Sequence, residues 1–162
     1  MIGLAYNNYG GSIMYIECVH QGSHATPEKD EKEKEKQGSL LVTGNIHDVM
    51  RESTQLAHSY AKFVCSSFFN NHYLEHNDVH LNFPEIEIGK DGPSAGAAIT
   101  SALISLALNK PMVKEIAMTG EITLSGKVNP IGGVKEKTMG AKREGVTTLI
   151  FPEDNRRDVD DL

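Results

Sequence analysis

Short apolar runs separated by a polar turn make up the first part of the chain. Residues 3–6 and 13–19 are rich in strand-forming side chains and flank the turn-forming segment NNYGG at residues 7–11. This arrangement predicts an N-terminal β-hairpin. Residues 40–43 predict another strand, and residues 79–83 alternate in the manner of an exposed or edge strand.

Helical periodicity follows in a longer segment, residues 46–69. Apolar side chains recur there at Val49, Leu56, Phe63 and Val64. That spacing predicts an amphipathic helix that packs through this stripe.

Residues 94–108 are apolar almost all the way round, which predicts a central helix covered on most sides. The helix should end at residues 109–111 (NKP), since proline cannot continue it. Another helix is predicted over residues 133–144, and a last one begins near Glu153.

Short strands are predicted at residues 116–118, 122–124 and 148–151. Together, the elements indicate an α+β fold. We expect a compact mixed-sheet domain with an N-terminal hairpin, a central apolar helix and flanking helices.

The length and net charge of the chain reduce the number of functional classes to consider. A chain of 162 residues suits one domain, residues 1–162, and a formal net charge of −6 without a dense Lys/Arg patch argues against a nucleic-acid site. The longest apolar run is too short to span a membrane. Residues 28–36 alternate acid and base, which predicts a charged surface insertion over residues 25–38.

Ser94 is the first candidate for chemistry. Gly92 and Gly96 beside it allow close backbone approach, and a position at a helix N-terminus would offer amide N–H groups to an oxyanion. A helix cap or a small packing residue are the alternatives. The match to G-x-S-x-G does not indicate an α/β-hydrolase, because no histidine follows His80.

Without histidine, a serine nucleophile needs another base, and lysine is the available one. Lys137 shares a helical face with Val134, Thr138 and Ala141, so it lies on the apolar stripe of its helix. It could extend along the surface to solvent. If it is buried instead, it loses its proton more readily and can act as a general base.

Three motifs in order carry a resemblance to a known family: residues 90–96 (KDGPSAG), 118–123 (MTGEIT) and 132–137 (GGVKEK). They resemble the proteolytic domain of the Lon family of ATP-dependent proteases. Shorter similarities cover most of the remaining chain, at residues 3–6, 10–11, 43–44, 49–53 and 151–155.

The resemblance implies a serine endopeptidase that degrades unfolded or damaged proteins. Ser94 corresponds to the nucleophile and Lys137 to the base of a Ser-Lys dyad. Thr119 corresponds to the threonine that contacts the lysine, and Asp91 to an acidic residue just before the serine. A non-catalytic module of the same fold, used for oligomerisation or peptide docking, is the alternative.

Several positions depart from the family pattern. Tyr6 stands where tryptophan is common, and Asn82 stands where a second histidine often follows His80. Residues 86–89 (IEIG) replace the usual Gly-Ala-Thr-Pro before the lysine. The family domain also runs further, so a last strand and helix are expected beyond residue 162.

The resemblance also implies hexameric rings in which a preceding AAA+ module feeds unfolded polypeptide to the protease. ATP and magnesium are expected only in that module and no cofactor in this domain, since residues 120–127 do not fit the P-loop spacing and Val128 replaces its Ser/Thr. The compartment is the mitochondrial matrix or the bacterial cytoplasm, and the charged insertion favours a eukaryote.

A metal site is a competing class. His72, His76 and His80 are four residues apart and would align on a continuous helix. Polar residues 77–78 and the strand-like segment after them interrupt such a helix, and no H-E-x-x-H occurs. We therefore expect no metal.

Overall fold

The computed structural model describes residues 1–23 and 37–162. The described part has mixed α and β structure, as the sequence predicts, and its strands form three sheets. The strands are β1 (Ile2–Asn7), β2 (Gly10–Tyr15), β3 (Glu17–Ser23), β4 (Leu40–Thr43), β5 (Asn77–Asn82), β6 (Ile116–Met118), β7 (Glu121–Ile122), β8 (Val128–Asn129) and β9 (Thr148–Ile150). The helices are α1 (Asp48–Phe69), α2 (Tyr73–His76), α3 (Gly96–Leu108), α4 (Val134–Arg143) and α5 (Arg156–Asp160), with a 3-10 turn at Glu153–Asn155.

The first sheet has the strand order β2-β1-β6-β9. The predicted hairpin is confirmed, with β1 antiparallel to β2, whereas β6 is parallel to both β1 and β9. The single strand predicted over residues 13–19 is wrong. Ile16 is buried between β2 and β3, and the chain passes there from one sheet to another.

The second sheet has the order β3-β5-β4, antiparallel and then parallel. The edge position predicted for residues 79–83 is wrong, because β5 lies between two partners. Val79, Leu81 and Phe83 are fully buried. The alternation therefore marks a central strand with one face on the core and the other face polar.

Helices α1 and α3 pack against each other in the main core. The central position predicted for the apolar helix is confirmed by its buried side chains, and α3 ends at Asn109 in a left-handed conformation. The stripe predicted for α1 is wrong, since Val49 and Phe63 are about half exposed. The buried face instead carries Met50, Ser53, Thr54, Ala57, His58, Ala61 and Cys65. Most of these side chains are small, which lets the two helices approach closely.

Helix α4 rests on the N-terminal hairpin, and a second small core joins Leu4, Ala117 and Ala141. The insertion predicted over residues 25–38 falls mostly on residues 24–36, outside the described residues, and stays a prediction. Among the helices of residues 1–23 and 37–162, none has the length and apolar character to cross a bilayer.

Candidate active site

Ser94 lies in a turn that leads into α3. The Gly96 amide donates to the Pro93 carbonyl at 3.2 Å, and the helix itself begins at Gly96 after Ala95. No side chain caps this helix end. The capping alternative for Ser94 is therefore wrong, and its hydroxyl is not committed to the helix.

Backbone hydrogen bonds from the segment of Thr119 and Gly120 hold this turn in place. The Gly120 amide donates to the Ser94 carbonyl at 2.7 Å, and the Ala97 amide donates to the Gly120 carbonyl at 3.0 Å. The Gly96 and Ala97 amides, at the start of α3, thus have partners already. These two amides are therefore not free to stabilise an oxyanion.

Close packing holds the start of α3 against β7. A Cβ on Gly96 would lie 2.9 Å from the amide nitrogen of Ile122 and 3.1 Å from the Ser53 hydroxyl. The Ser53 hydroxyl also reaches the Pro93 carbonyl at 3.3 Å. Only glycine fits at this position, and it ties the serine turn to both α1 and β7.

The Asp91 carboxylate faces the start of α1. Its Oδ1 accepts the Met50 amide at 2.9 Å, and backbone hydrogen bonds from Met50 and Gly92 lower the pKa of Asp91. No side chain of the helix itself caps this end, so Asp91 takes that role from a distant loop. Asp91 thereby anchors the residues just before Ser94.

Lys90 organises the loop that departs from the family pattern. Its Nζ donates to the carbonyls of Gly44, Glu85 and Ile88 at 3.0, 2.7 and 3.0 Å. Glu85 has a φ of 65°, and the Ile88 amide closes a turn onto its carbonyl. The IEIG segment is therefore a compact turn held by one ammonium group.

Lys137 projects from α4 into the interior and is only 1% exposed. Its Nζ donates to Thr119 Oγ1 at 3.2 Å. Desolvation by burial lowers the pKa of Lys137 to about 8. The alternative in which this side chain extends to solvent is wrong, because the apolar stripe of α4 faces the hairpin and the first sheet.

Thr119 joins the lysine to the serine segment. Its Oγ1 accepts from Lys137 Nζ and donates to the Ser94 carbonyl, each at 3.2 Å. Thr119 is itself 1% exposed. Of the four site residues predicted from the sequence, Lys137 and Thr119 are buried and bond each other, and half-buried Ser94 joins them through its backbone carbonyl. The Asp91 carboxylate faces α1 instead.

Comparison with known proteins shows the family of this chain. The family model of the Lon protease (S16) C-terminal proteolytic domain matches residues 1–162, the whole chain. The chain belongs to the Lon family.

Three Lon relatives, each named "Lon protease homolog, mitochondrial", illustrate the similarity. The mouse (Mus musculus) protein is 46% identical over 163 residues, the Drosophila melanogaster protein 47% over 167, and the Eremothecium gossypii protein 49% over 163. The alignments cover 100% of this chain but only 17%, 16% and 15% of those relatives. The chain therefore spans about a sixth of the relatives it matches.

Tyr6 is a residue near the candidate active site that the sequence patterns do not predict, since they mark it only as a departure from the Lon pattern. In the structure the Lys137 Nζ lies 5.5 Å from the centroid of the Tyr6 ring. This proximity follows from the hairpin register, because Tyr6 pairs with Gly11 and Gly11 lies directly beneath α4.

The three histidines do not align. His72 precedes the short helix α2 and bonds Glu75, whereas His80 lies in β5 within 2.8 Å of the Thr43 hydroxyl. Within residues 1–23 and 37–162, histidine, cysteine and carboxylate side chains form no group of three or more able to hold a metal.

Proposed function

We propose that this Lon domain is a serine endopeptidase with a Ser-Lys dyad, in which Ser94 is the nucleophile and Lys137 the general base. The observation that carries the proposal is the burial of Lys137 beside Thr119, whose hydroxyl also bonds the Ser94 carbonyl. Among the residues that the structure describes, no carboxylate forms an ion pair with Lys137, so its amine can lose its proton and act as a neutral base.

In the proposed reaction, neutral Nζ of Lys137 takes the proton of the Ser94 hydroxyl while Oγ attacks the carbonyl carbon of the scissile peptide bond. The Lys137 ammonium then donates that proton to the leaving amine, and the acyl group stays on Ser94 as an ester. Water attacks the ester, with Lys137 again accepting and returning a proton.

The lowered pKa supports this assignment. An ordinary lysine is almost wholly protonated at neutral pH. With a pKa of about 8, roughly half of the Lys137 population is neutral at pH 8, so the amine can work as a base in the physiological range. We expect activity to rise with pH up to about this value.

We further propose that the whole protein is an ATP-dependent protease that degrades unfolded or damaged polypeptides as a hexameric ring. ATP and magnesium would bind in a separate AAA+ module, and this domain would need no cofactor, membrane or nucleic acid. Support comes from the family assignment and the length of the relatives. The names of the relatives in animals, plants and fungi support the mitochondrial matrix as the compartment.

The test is hydrolysis of casein and a short fluorogenic peptide by the full-length protein with ATP and magnesium. We expect Ser94→Ala and Lys137→Arg to abolish turnover, since arginine keeps the charge but does not give up a proton. Ser59→Ala is the matched control, because Ser59 is an exposed serine of α1 that, like Ser94, is followed by a lysine along the chain, here Lys62. Equal turnover by wild type and Ser94→Ala would favour the non-catalytic docking module instead.

A further inference from the structure

The aromatic ring of Tyr6 lies on the side of Lys137 that faces away from the core. Tyr6 is in β1 and its side chain is 51% exposed, whereas the Lys137 side chain beneath it is 1% exposed. The distance from Nζ to the ring centroid is 5.5 Å. The ring therefore stands between the ammonium group and bulk water.

The backbone before α4 is shaped to receive this ring. Gly133 has a φ of 70°, and a Cβ on it would lie 2.6 Å from Cγ and Cδ1 of Tyr6. A Cβ on Gly132 would lie 2.9 Å from the Tyr6 hydroxyl. The Gly133 carbonyl in turn accepts the Lys137 amide at 2.9 Å. Ring, glycine backbone and lysine thus pack as one unit.

The two side chains that contact Nζ most directly carry no charge. Thr119, in the segment after β6, contacts Lys137 Nζ through its uncharged hydroxyl, and Tyr6 in β1 contacts it through its phenol ring. From β2 the Gly11 backbone contacts α4, and Arg143 is bonded to the Gly11 carbonyl at 2.7 Å. On α4 itself, Glu136 is exposed. In the described residues no carboxylate forms an ion pair with Lys137.

We propose that Tyr6 is a positioning residue that closes the solvent side of Lys137 and so sets the pH range in which the proposed base is neutral. This rests on the proposed function of the Ser-Lys pair. Two effects of the ring oppose each other, because exclusion of water disfavours the ammonium while the π face attracts it. Exclusion of water is the larger effect, because a ring centroid 5.5 Å from Nζ is close to the outer limit of about 6 Å for a cation–π contact, whereas the Lys137 side chain is 1% exposed.

The first experiment measures the pH dependence of kcat/KM for a fluorogenic peptide with the full-length protein. Tyr6→Ala should move the acidic limb to higher pH by about one unit, which is a loss of about tenfold at pH 7 that recovers above pH 9. Tyr6→Phe and Tyr6→Trp keep a planar ring and should retain the wild-type profile. An acidic limb that is unchanged or moves to lower pH in Tyr6→Ala would overturn the proposal.

The second experiment does not depend on activity. A small amine-reactive reagent is used to label Lys137, and the labelling rate is followed by mass spectrometry. Two proteins are compared, the Ser94→Ala variant and the same variant with the additional change Tyr6→Ala. We expect faster labelling of Lys137 at pH 10 in the alanine variant, with unchanged labelling of exposed Lys135. If Tyr6→Ala does not fold, Tyr6→Leu should give the same changes to a smaller extent. Equal labelling rates would overturn the shield, whereas a failure of Ser94→Ala to reduce turnover would overturn the dyad.

Discussion

Gly11 and Gly140 meet backbone to backbone where α4 crosses β2. A Cβ on Gly140 would lie 2.7 Å from the Ser12 amide nitrogen, and a Cβ on Gly11 would lie 2.9 Å from the Lys137 amide nitrogen. The two missing side chains let the helix rest directly on the hairpin. This contact brings Lys137 under Tyr6 and against Thr119.

We expect Gly140→Ala to destabilise the chain by about 1–3 kcal/mol, through overpacking of this contact. The prediction opposes intrinsic propensity, because alanine is favoured over glycine within a helix. Denaturant unfolding measures the change. Gly22→Ala is the control, since the nearest atom to a Cβ there is 3.7 Å away. A stabilised Gly140→Ala variant would show that the helix does not rest on Gly11.

Thr119→Val should reduce peptide hydrolysis by about tenfold or more while the domain stays folded. Valine matches threonine in shape but neither accepts from Lys137 nor donates to the Ser94 carbonyl. Loss of both bonds leaves the amine free to move, and small displacements of catalytic groups are costly. Thr119→Ser keeps the hydroxyl and should retain most activity. Full activity in the valine variant would remove the threonine from the site.

Lys90→Met should loosen the turn before the serine. Three carbonyls lose their charged donor, at a cost of roughly 1–2 kcal/mol. We expect a lower denaturation midpoint together with reduced kcat, because the turn leads directly to Ser94. Lys110→Met, on the exposed loop after α3, is the control. Unchanged stability and kcat would show that the Ile86–Gly89 turn forms without Lys90.

Local patterns predicted most helices and strands, but they did not predict where strands join different sheets. Residues 13–19 contain continuous strand-forming side chains, so nothing local marks the passage at Ile16. Strand β5 was predicted to lie at a sheet edge because its apolar and polar side chains alternate. Such alternation indicates that one face of a strand is exposed, but it does not indicate how many neighbouring strands it has. In α1, large apolar side chains suggested the wrong face, since close packing on α3 selects small residues.

In the candidate active site, too, local patterns predicted some features and the tertiary fold determined the others. The stripe of α4 correctly indicated that Lys137 faces inward, and the resemblance paired it with Ser94 and Thr119. The contribution of Tyr6 depends on the register of a hairpin and on the backbone of Gly133, which lies far away in the chain. Such contacts between distant segments are set by the tertiary fold and leave no periodic signal.

Burial of Lys137 should cost stability in a way that depends on pH. Its pKa is about 8 in the folded chain and 10.5 ordinarily, so between these values the unfolded chain binds more protons than the folded chain. The contribution of Lys137 to the free energy of unfolding therefore rises from pH 8 to pH 10.5, and below pH 8 the full cost of the buried charge is present. Lys137→Met fills similar space without a charge.

We expect Lys137→Met to be more stable than wild type at pH 7 by about 1–3 kcal/mol, although inactive. The difference should shrink from pH 8 towards pH 10.5, because the folded wild-type amine is then largely neutral while the unfolded chain still binds a proton. Urea unfolding at pH 7 and pH 10 measures it, with exposed Lys135→Met as the control for removal of a surface charge from the same helix. If Lys137→Met were less stable than wild type at pH 7, the ammonium would be well solvated or paired, and Lys137 would be a poor general base.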